Sequence, residues 1–232
     1  ARALDLKLSC YSVSGNVGNK NLIERRREVE RLKGEIDTAA YLGVPFMRHD
    51  LGPWGIPEGE EAGELFDLNI KLIAEAAREL ADYGEEKGVL CLVENHGLLV
   101  NGSERMLRLY EAVDRDNFGF ILDMGNFCYV DEDPLEGVKQ LLPYTKLIHA
   151  KDLYIKPQVP NAQKDRYFKT ASGSYLQGAV FGEGDLPAAG ILRLIKQSGF
   201  DGPITLEYEG EADSIEGTAR SLVNLRRMWA DA

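Results

Sequence analysis

Short apolar runs alternate along this chain with longer stretches whose apolar residues recur every three or four positions, the pattern of strands and amphipathic helices in βα order. Runs at 4–11, 44–50, 89–94, 118–123, 145–151 and 203–208, with a weaker one at 179–181, predict seven strands. Helical spacing at 21–42, 61–87, 103–113, 135–142, 187–198 and 214–229 predicts the helices between and after them. The punctuation agrees. Gly43, Gly88 and Gly199 stand where a helix ends in left-handed backbone, and Ser103 and Asp133 where helix N–H groups want a side-chain acceptor. Pro134 and Pro187 fall in first turns, where a missing N–H does no harm. The segment 156–178 is polar and aperiodic, which predicts a lid over a pocket or a surface insertion.

Strands joined by helices in this order build a parallel sheet, either closed into a barrel or open and doubly wound. The open form commonly cradles a nucleotide in a glycine-rich loop after its first strand, and neither GxGxxG nor GxxxxGKS/T occurs there. A length of 232 residues lies close to the roughly 250 typical of the closed form. The expectation is therefore an α/β fold, a (β/α)8 TIM barrel forming a single domain over residues 1–232. Only seven strands are found and the chain starts almost directly in one, so the first βα unit is expected to be missing from this chain.

Composition narrows the classes of partner. A hydrophobic content of 44% supports a substantial core, and no apolar run approaches the 18 or so residues of a membrane span. A net charge of -11 would repel a phosphate backbone, which argues against nucleic acid. Cys10, Cys91 and Cys128 are odd in number and show no CxxC spacing, which fits a reducing, cytoplasmic setting.

The chemistry sits at the strand ends. LCLVE at 90–94, FILD at 120–123, KLIH at 146–149 and ITLE at 204–207 each finish an apolar strand with a residue able to bind metal. A parallel barrel brings all strand C-termini to one rim, so Glu94, Asp123, His149 and Glu207 would converge. One such carboxylate alone is more often a helix cap or half of an ion pair; four together point to a shared divalent cation that offsets their charge. Three carboxylates and one imidazole form a hard donor set, suited to Mn2+ first, with Mg2+ or Co2+ as alternatives and Zn2+ less typical.

These residues resemble a known group. VEN at 93–95, LDMGN at 122–126, IHAKD at 148–152, LEYE at 206–209 and the FGEGDL run at 181–186 look like the xylose isomerase-like superfamily of sugar isomerases and epimerases, over most of the chain. The resemblance implies one metal ion on Glu94, Asp123, His149 and Glu207, with Glu94 and Glu207 flanking the reacting carbon of the substrate. Such a site suits proton transfer next to a carbonyl: the cation stabilises an enediolate while two carboxylates remove and return the proton, giving epimerisation or aldose–ketose isomerisation. The ketohexose 3-epimerase branch would carry a histidine and an arginine where this chain has Asn126 and Ile155, so the grip on the sugar is altered. Dehydration of a cyclic keto-polyol (inosose-type) needs the same metal and base and is the alternative; a non-catalytic sugar-binding barrel is a further one. A three-zinc nuclease of the same superfamily would need more than the three histidines His49, His96 and His149.

Further candidates surround these four. His96 in ENH is read as a substrate or ligand-orienting contact or as a plain loop residue, and Lys151 as an oxyanion stabiliser or as a structural partner of Asp152 or another carboxylate. Asn126 and His49 complete the expected substrate contacts, although His49 also fits as a histidine satisfied by Asp50. Trp54 and Tyr11 offer apolar walls, Glu183 a tight-loop feature, and Arg166 and Lys169 cations on the expected lid. The expected partner is a small sugar or keto-polyol; a homo-oligomer stays open, since no apolar stripe nominates an interface.

Overall fold

A computed structural model describes residues 2–19 and 21–232. The chain divides into two compact units, Ala1–Val100 with Glu104–Ile121, and Asn101–Ser103 with Leu122–Ala232. The first runs through β1 (Cys10–Val13), α1 (Leu22–Leu42), β2 (Phe46–His49), α2 (Ala62–Lys87), β3 (Leu90–Glu94), α3 (Ser103–Val113) and most of β4 (Phe118–Asp123). The second takes the end of β4 and adds α4 (Pro134–Leu141), β5 (Thr145–Ala150), β6 (Leu153–Lys156), β7 (Phe168–Lys169), β8 (Tyr175–Gly178), α5 (Ala188–Gln197), β9 (Ile204–Leu206) and α6 (Ser214–Asp231). Strands hydrogen-bond in the order β1-β2-β3-β4-β5-β9, while β6, β8 and β7 make a separate antiparallel sheet.

The strands that carry the candidate ligands form where their sequences are apolar throughout. All six residues of β4 are buried, as expected of a strand covered on both faces. The register pairs Cys91 with Phe118 and Glu94 with Ile121, so β3 and β4 end side by side. Helices cover the sheet with stripes of helical spacing: α1 buries Val29, Leu32, Ile36 and Ala39. Each fully buried aliphatic side chain of this kind contributes about 1.5–3 kcal/mol. The side chains of Asn21, Asp133 and Asp213 cap α1, α4 and α6 by accepting from first-turn N–H groups. Among the described residues no helix is long and apolar enough to cross a membrane.

Three expectations differ from the structure. The strand predicted at 4–11 begins only at Cys10; its ladder starts with Cys10 beside Phe46, and one step earlier the partner would be Pro45, which has no N–H to give. The weak run at 179–181 is not a strand. Ala179 N–H donates to Asp152 O and Phe181 N–H to Ser221 Oγ, so its polar groups are satisfied by a packed loop instead of a ladder. The segment 156–178, expected as a lid or a surface insertion, contains β7 and β8, which pair with each other and with β6 at its start. Ser103, expected as a cap, is the first helical residue of α3, and its hydroxyl donates to Glu132.

Gly84, inside α2, is a position where the packing forbids a side chain. A Cβ there would lie 2.6 Å from Val89 O and 2.9 Å from Cys91 Sγ. Alanine ordinarily improves a helix interior by about 0.5–1 kcal/mol, but a forced backbone shift costs about 1–3 kcal/mol. Gly84→Ala is expected to lower stability by about 1–2 kcal/mol in urea unfolding; equal or higher stability would show that helix and strand separate freely.

Candidate metal centre

Each candidate ligand is aimed by its own local structure. Asp123 ends β4 fully buried, and its Oδ1 accepts from Gly125 N–H and Asn126 N–H, both at 2.8 Å. Those two bonds fix the carboxyl group's orientation. His149 lies on β5, where Met124 N–H donates to its carbonyl at 3.1 Å, holding β4 and β5 in step. β9 pairs with β5 so that Thr205 faces His149; Glu207 follows, its N–H donating to Ala150 O at 3.2 Å. His149 Nδ1 stands 3.4 Å from Glu207 Oε2 and 3.9 Å from Asp123 Oδ2.

Glu94 ends β3 and is buried, with Arg48 Nη2 at 2.7 Å from its Oε2. Arg48 also reaches Asp50 at 2.8 Å, and Asp50 Oδ1 lies 3.2 Å from His96 Nδ1. Arg48 was not singled out in the sequence. The signal was present, however: in FMRHD a lone arginine interrupts an apolar strand two residues before a carboxylate on the same face.

Lys151 is the cation of the second unit. Its side chain is 3% exposed, and its ammonium lies 3.1 Å from Glu207 Oε2, 3.2 Å from Glu209 Oε2 and 3.5 Å from Asp123 Oδ2, while donating to Asn126 Oδ1 at 3.1 Å. Gly125 makes room for its stem: a Cβ at that position would sit 3.1 Å from Lys151 Cγ. Burial alone would favour the neutral amine, but the charges of Asp123, Glu207 and Glu209 outweigh it and raise its pKa well above the ordinary lysine value. Burial likewise works against an ionised Glu207, yet His149 and Lys151 hold its carboxyl well below the usual range. Glu209, two residues past Glu207 on the same side by strand alternation, was quoted in LEYE without a role.

Of the carboxylates expected as structural partners of Lys151, the structure supplies Asp123, Glu207 and Glu209 and not Asp152. Asp152 accepts from the N–H groups of Leu153, Gly182, Gly184 and Leu186 at 2.9, 2.8, 3.0 and 3.3 Å, tying down the 182–186 loop. Arg166 is paired with Glu211 at 2.7 Å, Tyr11 donates to Glu35, and Glu183 is held by Arg220. Asn126 is buried, its amide oxygen facing Lys151, and His96 is partly exposed beside Asp50. His49 is fully buried, Nδ1 3.4 Å from Asp50 O and Nε2 without a hydrogen bond.

Within the second unit Asp123, His149 and Glu207 each offer one ligand atom, and those atoms lie within 4.8 Å of one another. The group fits a divalent ion by two observations. Glu207 Oε2 is a buried oxygen paired by charge with Lys151 at 3.1 Å and His149 at 3.4 Å but closed off by no well-aligned hydrogen bond, and a set of carboxylates with one imidazole is that of a hard cation.

Comparison with known proteins gives the family and the fold. The family pattern described as xylose isomerase-like TIM barrel matches residues 1–228. An inosose dehydratase from Clostridium perfringens is 27% identical over 146 residues, which is 60% of this chain and 47% of that protein, so the chain spans about half the length of the curated relatives it matches. The structure of an L-ribulose 3-epimerase superposes with a TM-score of 0.76 at 16% identity, covering 99% of this chain and 78% of that one. A xylose isomerase-like TIM barrel protein from Mycobacterium smegmatis, in complex with magnesium, superposes with a TM-score of 0.70 at 18% identity over 96% of this chain and 74% of that one. These two likenesses establish the fold.

The enclosed His49 gives the fold an acid-sensitive element. Burial, opposed by Asp50 and aided by Arg48 and Arg31, lowers its pKa from 6.5 to about 4. Above pH 6.5 the imidazole is neutral folded and unfolded; between 6.5 and about 4 only the unfolded chain takes up the proton. Its contribution is therefore complete above pH 6.5 and lost as pH falls towards 4, on the order of 1–3 kcal/mol in all. His49→Gln is expected to flatten this acid-side loss in urea titrations at pH 7, 5.5 and 4.5; parallel curves for parent and variant would rule the effect out.

Proposed function

The chain belongs to the xylose isomerase-like TIM barrel family, and from that premise we propose that it is a divalent-metal-dependent enzyme that moves a proton at the carbon beside the carbonyl of a sugar or keto-polyol. The observation that carries this reading is the grouping of Asp123, His149 and Glu207 within ligand distance of one another in the second unit, with Glu94, at the end of β3, proposed as the fourth ligand. In the proposal these four hold the ion, Mn2+ or Mg2+ by donor hardness. When bound, such an ion supplies Lewis-acid polarisation of the carbonyl and the neighbouring hydroxyl.

This chain's own residues do the rest. Glu207, held ionised by its neighbours, acts as one acid/base; Glu94, in contact with Arg48, acts as the other. In epimerisation one removes the proton from one face of the carbon and the other delivers a proton to the opposite face of that carbon; in aldose–ketose isomerisation a proton is delivered to the former carbonyl carbon while the neighbouring hydroxyl's proton passes to the former carbonyl oxygen. Asn126, Lys151 and His96 are the proposed contacts for substrate oxygens. His49 is enclosed in the core, and the reading gives it no touch with substrate.

A second reading, loss of water from a cyclic keto-polyol, is favoured by the inosose dehydratase among the relatives. It uses the same proton abstraction and differs in what leaves next. Incubation with keto-sugars and inososes in heavy water with Mn2+ separates the two: solvent deuterium in an epimer or isomer marks the first, and a conjugated enone absorbing in the ultraviolet marks the second. Glu207→Gln is expected to lower either rate by about 10²–10⁴-fold, with the fold retained by circular dichroism. Unchanged turnover in that variant would remove Glu207 from the chemistry, and substrate binding without exchange or turnover in the parent would point to a binding protein.

A further inference from the structure

Lys151 brings a fixed positive charge to the place where a divalent cation is proposed to sit. Asp123, Glu207 and Glu209 all lie within 3.5 Å of its ammonium. Asn126 adds a neutral oxygen at 3.1 Å, and Gly125 leaves the passage through which the stem reaches them. An ammonium so placed stabilises the carboxylates against one another, and it also opposes any second cation that approaches them. We propose that Lys151 is a resident counter-cation that sets the affinity of the centre: it holds the ligand carboxylates together in the absence of metal and weakens the grip on the ion when metal is present.

This inference rests on the reading of Asp123, His149 and Glu207 as metal ligands. Its particular consequence is one of sign. A residue that merely supported the site would loosen metal binding when removed, whereas a counter-cation tightens it. Glu209 is the one acidic partner of Lys151 outside the proposed ligands among the described residues, and it shares the lysine's charge. Losing Glu209 places that charge on Asp123 and Glu207 alone and should weaken the ion's hold.

The test is calorimetric titration of the full chain with Mn2+, together with melting curves in EDTA and in excess Mn2+. Lys151→Met keeps the stem and removes the charge. It is expected to bind Mn2+ about 10- to 100-fold more tightly than the parent, to melt lower in EDTA and to gain more on adding the ion. Lys151→Arg, which retains a cation, should stay within about threefold of the parent. Glu209→Gln, a change at a partly exposed position that leaves the fold intact, should weaken Mn2+ binding several-fold. Unchanged or weaker binding in Lys151→Met, or unchanged binding in Glu209→Gln, would overturn the inference while leaving the metal site standing. A parent that binds no Mn2+ at millimolar concentration would remove the metal site itself, and the inference with it.

Discussion

Carboxylates of one sign gathered at buried strand ends are the constraint on which the rest of this structure depends. Two like charges 4 Å apart at an effective dielectric near 20 repel by about 4 kcal/mol, and Asp123, Glu207 and Glu209 surround a single ammonium within 3.5 Å. Such an arrangement persists only with positive charge built into it. The local devices follow from that need: the paired N–H groups that orient Asp123, the glycine beside the lysine stem, and the arginine against Glu94.

Each carboxylate proposed for proton transfer has its own cationic neighbour, and the two neighbours differ in kind. Glu94 meets Arg48, whose flat guanidinium is shared with Asp50. Glu207 meets the point charge of Lys151. Guanidinium is permanently charged and directional, whereas ammonium is compact and strongly electrostatic. A pair of acid/base groups so differently attended is suited to unequal tasks, one giving and one taking a proton, more than to interchangeable ones.

How much of this was legible in the amino-acid order depends on range. β4, buried on both faces, announced itself as an unbroken apolar run, with predicted and observed limits both at 118–123. Helix ends at Gly43 and Gly88 were equally plain, because left-handed backbone at φ of 69° selects glycine. The strand-end residues were nominated by alternation and topology together. What escaped was whatever depends on a partner distant in sequence. β7 and β8 are two and four residues long and exist by virtue of their ladder, so no periodicity marks them. Arg48 looked like an interruption until its carboxylate neighbours were in place. For Lys151 a carboxylate partner was legible but not which one: Asp152 stands next in sequence, yet extended backbone sends adjacent side chains to opposite sides.

That last arrangement has a mechanical corollary. Positions 151 and 152 share one peptide plane, yet the first reaches into the acidic cluster while the second grips the 182–186 loop through Gly182, Gly184 and Leu186. One short piece of backbone therefore anchors both the loop and the ammonium, so their positions are set by the same peptide.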